Sequence, residues 1–219
     1  SIRWTAGDVH PPLYYVLLRG WRFLAGEGEF VLRFPSVLFS FLTVPLIYRL
    51  GEALGNFTET QRAQRKIKKN SLCLCGYIPS GKQIGLLAAL FLTLSRFAVI
   101  WAQEIRMYAL AAMWATGVLW AAVWMWRRGG RPAWITYVLT TLGSLYTLYL
   151  TVTVPLVANL GFLVAWWRQG RPRKLFLTWL SAQLTVAVLY IPWFAYTLPR
   201  ICLLYTSDAA DEEDSVDLG

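Results

Sequence analysis

IGLLAALFLTLSRFAVIWA, QEIR, MYALAAMWATGVLWAAVWMW and RRGGR follow one another over residues 84–131, and their order decides the fold. Two nearly unbroken apolar runs, 84–102 and 107–126, flank a short polar turn, and a cationic stop comes after the second. A helix needs about 20 apolar residues to cross the hydrocarbon of a bilayer. Each run has that length, so the pair reads as a transmembrane helical hairpin. Working outward, comparable runs lie at 31–50, 133–150, 151–167 and 175–197. The expected fold class is therefore all-α, a polytopic transmembrane bundle of about six spans. Composition agrees, because 57% of the residues are hydrophobic and mean hydropathy is +0.45, values outside the range of soluble domains.

Charge orients the bundle. RAQRKIKK with Lys82, then RRGGR, then RQGRPRK follow the first, third and fifth runs, whereas the turns after the second and fourth carry little positive excess. Lys and Arg concentrate in cytoplasmic loops, so residues 55–82, 127–132 and 168–174 are expected inside. The N-terminal segment, residues 102–107, the turn near 150 and the region after 197 are expected outside. A nucleic-acid binder is excluded as a reading, because the cations sit between runs of bilayer length. Cys73, Cys75 and Cys202 outline neither a disulfide framework nor a zinc site. From Cys202 the composition changes to CLLYTSDAADEEDSVDLG, with six acids, which resembles the translation of a sequencing adapter. Residues 202–219 are set apart as a non-native tail. All 21 Lys and Arg lie in 1–201 with the other six acids, so this part carries 21 − 6 = +15.

DVHPP, residues 8–12, brings an acid and the sole histidine to the outward side. PLYYVLLRGWRFLAG follows, too short in its apolar part to cross, and reads as a helix lying in the membrane interface. Residues 1–29 are thus an outward loop and interfacial helix. Asp8 and His10 share the outward side with Gln103, Glu104, Arg106 and Tyr108. Charges so close to hydrocarbon are costly unless paired or functional. Glu104 and Arg106, two residues apart, diverge on an ideal helix, and each is expected to find its partner elsewhere. Together the clusters form either a site or an interhelical polar clamp.

DVHPPLYYVLLRGWRFLAGEGEFVLRFPSVLFSFLTVPLIYRLGEALG (8–55), with GLLAALFLTLSRFAVIWAQEIRMYAL (85–110), resembles the polytopic glycosyltransferases related to protein O-mannosyltransferases. These are glycosyltransferase family 39 and its bacterial relatives, within the C-type superfamily, and the resemblance covers about Asp8 to Trp167. It implies a multi-pass cell-membrane enzyme with its active face outward. The donor would be a polyprenyl-phosphate-linked sugar and the acceptor a hydroxyl on a glycan, lipid or protein, with membrane lipids as further partners and no nucleic acid. A carboxylate would take the acceptor's proton while cations or a metal hold the phosphate leaving group. By resemblance, Asp8 and Glu104 are candidate catalytic carboxylates, with the principal acid expected upstream of Ser1. His10, Gln103, Arg106 and Tyr108 are candidate substrate-binding residues. Asp8 and His10 are candidate ligands of a divalent metal ion, and no other cofactor is implied. The sequence departs from the family at Arg96, which puts a charge inside a span, at Leu148 in place of a frequent histidine, and in the longer 56–82 segment. A non-catalytic transporter or assembly subunit is the alternative. A transporter would place polar residues near the bilayer midplane, and here, Arg96 excepted, most are expected at the outer rim.

Overall fold

Every regular element in the computed structural model, which describes residues 11–69, 79–168 and 172–216, is a helix. In chain order these are α1 (Leu13–Ala25), α2 (Glu29–Lys69), α3 (Gly81–Leu94), α4 (Arg96–Gln103), α5 (Tyr108–Arg127), α6 (Arg131–Leu145), a 3₁₀ turn (Tyr149–Val152), α7 (Thr153–Arg168) and α8 (Arg173–Val216). Among the described residues, four stretches are long and apolar enough to cross a membrane: Glu29–Asn56, Tyr108–Arg127, Tyr149–Arg168 and Arg173–Pro199. The pair α3–α4 makes a fifth if its two pieces, bent by 58°, count as one span.

The core forms around α6. Its Ala133, Tyr137, Thr141 and Ser144 are each at most 1% exposed. Ala133 and Tyr137 share a cluster with Val118, Ala121 and Met125 of α5, Ala158 of α7, and Ala182 and Val186 of α8. Small side chains let apolar helices approach closely where dispersion, rather than water exclusion, holds them together. Gly143 shows the tightness, since a Cβ there would lie 2.6 Å from the Trp114 ring. One polar knot ties three helices. Asn159 Oδ1 accepts from Tyr137 Oη (3.2 Å), Gln183 Nε2 (3.0 Å) and Trp179 Nε1 (3.0 Å), and Gln183 Nε2 also donates to Tyr137 Oη at 3.0 Å. Asn159 and Gln183 lie about 14–15 Å from the ends of their helices at Arg168 and Arg173, so the knot sits about half way along the bundle.

A second contact joins α2 to α3 through glycines. GEALG (51–55) faces GKQIG (81–85), with Gly51 against Gly85 and Gly55 against Gly81. A Cβ on Gly55 would fall 2.6 Å from Gly81 Cα, and one on Gly85 would fall 2.6 Å from the Tyr48 carbonyl oxygen. Backbones this close exclude any side chain. Ser80 starts α3 with a reciprocal cap: its hydroxyl accepts from Gln83 N at 3.4 Å while its own N–H donates to Gln83 Oε1 at 2.8 Å. The Arg127 guanidinium donates to the Ala53 carbonyl at 3.0 Å, bringing the end of α5 to the same region.

Three expectations change. The 84–102 run is broken, because the Ser95 hydroxyl accepts from Ala98 N (3.4 Å) and restarts the helix in a new direction. The 133–150 run yields only the 15 residues of α6, short of the about 20 a crossing needs. Thr147 and Thr151 hydroxyls donate to the Gly143 (2.6 Å) and Ser144 (2.8 Å) carbonyls and occupy the last turn of that helix. The 55–82 segment is not a loop throughout, since α2 continues to Lys69 without glycine or proline after Gly55 and ends on QRAQRKIKK (61–69), rich in helix formers. The helix α8 passes Cys202 and ends at Val216, which leaves the reading of residues 202–219 as a non-native tail untouched.

Candidate functional site

The 104–107 turn, the end of α6 and the start of α1 gather at one end of the bundle. Gly26, at φ 93°, reverses the chain after α1 and lays that helix back on α2. Trp21 Nε1 donates to the Val31 carbonyl at 2.8 Å and the Trp21 ring stacks on Phe34 at 5.5 Å. At its other end, α1 is tied to α6 by the Leu13 N–H donating to the Tyr146 carbonyl at 3.1 Å. Tyr14, 2% exposed, packs on Met107 and Leu110 at the head of α5. Burial raises the pKa of its phenol, with the Ser36 hydroxyl pulling the other way. The chain from Pro11 to Tyr14 therefore adjoins the 104–107 turn. Asp8 and His10, expected as catalytic, binding or metal-ligating groups, lie outside the described residues.

The turn corrects the expected divergence of Glu104 and Arg106. Glu104 leaves the helix with φ −84° and ψ 141°. Past that point the helical turn of about 100° per residue no longer separates positions two apart. Arg106 Nε accordingly meets Glu104 Oε2 at 3.7 Å, with the side chains 62% and 42% exposed. An exposed pair of this kind contributes little to stability, so its charges stay available to a ligand. Trp101 and Tyr108, edge to face at 4.2 Å, clamp the two helices that the turn connects. Tyr108 is thereby engaged in holding the turn, and Gln103 is exposed at its start.

Gln103 also marks the mouth of a groove. The bend at Ser95 tilts α4 away from the line of α3, and two adjoining clefts, about 310 and 390 Å³, open against α2. Val37 and Gln103 line both. The inner cleft is apolar in the main, with Phe41, Val44, Leu92 and Val99 on its walls. The outer one is bounded by Phe30, Phe34 and Arg33. Arg33 pairs with Glu29 at 2.6 Å on the exposed surface of α2.

Arg33 was not singled out in the sequence, although the RFPS block (33–36) contains it. A helical arginine near an acid four residues earlier reads as an ordinary surface pair, and only the tilt of α4 brings Gln103 to the same cleft. Chemically, this rim, with Arg33 and Gln103 at the groove and Glu104 and Arg106 in the adjoining turn, offers two guanidiniums and an amide as donors and one carboxylate as acceptor. Guanidiniums suit a phosphate, and Glu104 can take a proton from a hydroxyl within hydrogen-bond reach. Among the described residues no three of His, Cys, Asp and Glu are grouped to hold a metal ion. Compared with known protein families, curated proteins and solved structures, the chain has no match.

Proposed function

We propose that this chain is an integral membrane glycosyltransferase domain that moves a sugar from a polyprenyl-phosphate donor to an acceptor hydroxyl at the outer membrane face. One observation carries the reading: Arg33 and Gln103 line an apolar groove, and Glu104 and Arg106 follow Gln103 in the adjoining turn, at the end of the bundle away from its basic segments. An amphiphile with an anionic head and an isoprenoid tail matches both parts. The 20 residues of α5 span about 30 Å, the thickness of a hydrocarbon core, which supports a rim near one membrane surface and Arg127–Arg131 near the other. The excess of basic residues at that second end supports a cytoplasmic side there. Arg33 and Arg106 hold the phosphate, Gln103 hydrogen-bonds the head group, and Glu104 receives the acceptor's proton.

A transporter is the competing reading, and the Tyr137–Asn159–Gln183 knot half way along the bundle revises the expectation that polar groups lie mainly at the rim. Its polar atoms hydrogen-bond one another across α6, α7 and α8. A network so satisfied joins helices and leaves little for a passing solute. The groove is tested with a photoactivatable polyprenyl phosphate in proteoliposomes. Crosslinks are expected within 30–44 and 92–103, displaced by unlabelled polyprenyl phosphate and not by a polyprenol without phosphate. Even labelling of all lipid-facing helices, insensitive to either competitor, would refute it.

A further inference from the structure

Arg96 begins α4 without an ion-pair or hydrogen-bond partner among the described residues. The acids whose side chains are described are already matched: Glu27 with Arg22, Glu29 with Arg33, Glu52 with Arg49 and Glu104 with Arg106. The first turn of α4 also contains no acid, so the guanidinium sits at the positive end of the helix dipole, where a nearby anion is favoured. As part of a straight span, this would be a cation stranded in hydrocarbon.

The bend changes that depth. The 14 residues of α3 climb about 21 Å from Gly81. Without a bend, Arg96 would lie about 10 Å below Gln103 along the α3 axis, and a 58° bend leaves about 6 Å, since cos 58° is about one half. An arginine can cover that remaining distance by extending toward water. The outward side chains of α4 are apolar, with Phe97 70% and Ile100 45% exposed, as suits a helix resting on acyl chains.

We propose that α4 lies along the outer interface of the bilayer instead of completing the crossing begun by α3, with Arg96 bound to the phosphate of a bulk phospholipid. The interfacial layer at this end then has two helices, α1 and α4, flanking the mouth of the groove. The placement holds whether or not the chain transfers sugar.

The test uses the full chain with Cys73, Cys75 and Cys202 replaced by serine and a bimane fluorophore on Arg96→Cys, Phe97→Cys or Leu90→Cys. Each is reconstituted in phosphatidylcholine carrying a nitroxide either on the head group or deep on the acyl chain. The ratio of head-group to deep quenching should exceed one at 96 and 97 and fall below one at 90. A ratio below one at both 96 and 97 would return α4 to the hydrocarbon and overturn the proposal. Absence of quenching by either lipid would also overturn it, by enclosing the residue in protein. Added phosphatidylglycerol should delay thermal unfolding of the parent in neutral detergent more than that of Arg96→Gln; equal protection would refute the phosphate contact.

Discussion

Gly85→Leu is expected to abolish the α2–α3 pairing and leave little folded protein. At this position the first added carbon already falls 2.6 Å from the Tyr48 carbonyl oxygen and 3.2 Å from the Glu52 nitrogen. Both are backbone atoms of α2, so no rotamer change relieves the clash and the helices must part. Overpacking a close contact costs about 1–3 kcal/mol, and more where backbone must move. Parting the helices also forfeits the dispersion contact that holds them. Gly55→Leu should behave alike, and Gly85→Ala should fall between. Gly20→Leu is the control, because nothing lies within 4 Å of a Cβ there. Monodisperse yield and the midpoint of thermal unfolding in detergent report the outcome. A Gly85→Leu protein as stable as Gly20→Leu would show that the glycine contact does not hold the pair together.

Glu104→Gln should lower the proposed sugar transfer by about tenfold or more with little change in expression, the scale of a lost acid–base contact. The substitution keeps the shape of the side chain and removes its charge. Because Glu104 and Arg106 are exposed, their pairing adds little to folding, so activity and stability are separable at this residue. His10→Ala is expected to act in the same direction, from its place ahead of the Pro11–Tyr14 segment that adjoins the turn. A merely structural clamp would give the opposite pattern, poor folding with normal transfer per folded molecule.

Much of the helical order could be read from apolar run length, because a helix that faces lipid must be apolar on most of its surface. The run 107–126 and the helix Tyr108–Arg127 differ by one residue at each end. Breaks inside apolar runs were less legible. Ser95 ends one helix and caps the next within an apolar run, and Leu145 ends α6 although apolar residues continue beyond it. In both places hydroxyls, from Ser95, Thr147 and Thr151, engage the backbone, and run length is blind to that. The glycines at 51, 55, 81 and 85 escaped notice because their meaning lies in the pairing of two helices. At the site, the expected separation of Glu104 and Arg106 failed because helix geometry was applied to a residue that had left the helix. Arg33 needed the tilt of α4 to be seen at all.

The placement of the polar rim and the basic segments on opposite faces of a membrane is tested most directly by labelling with a membrane-impermeant thiol reagent in sealed cells. Single cysteines go at Ile105, exposed in the Glu104–Met107 turn, and at Gly129, between α5 and α6, with the natural cysteines replaced. The cysteine at 105 should react from outside, and the one at 129 only after the membrane is opened. Reaction of 129 in intact cells with 105 protected, or equal reaction of both, would contradict the proposed outward site.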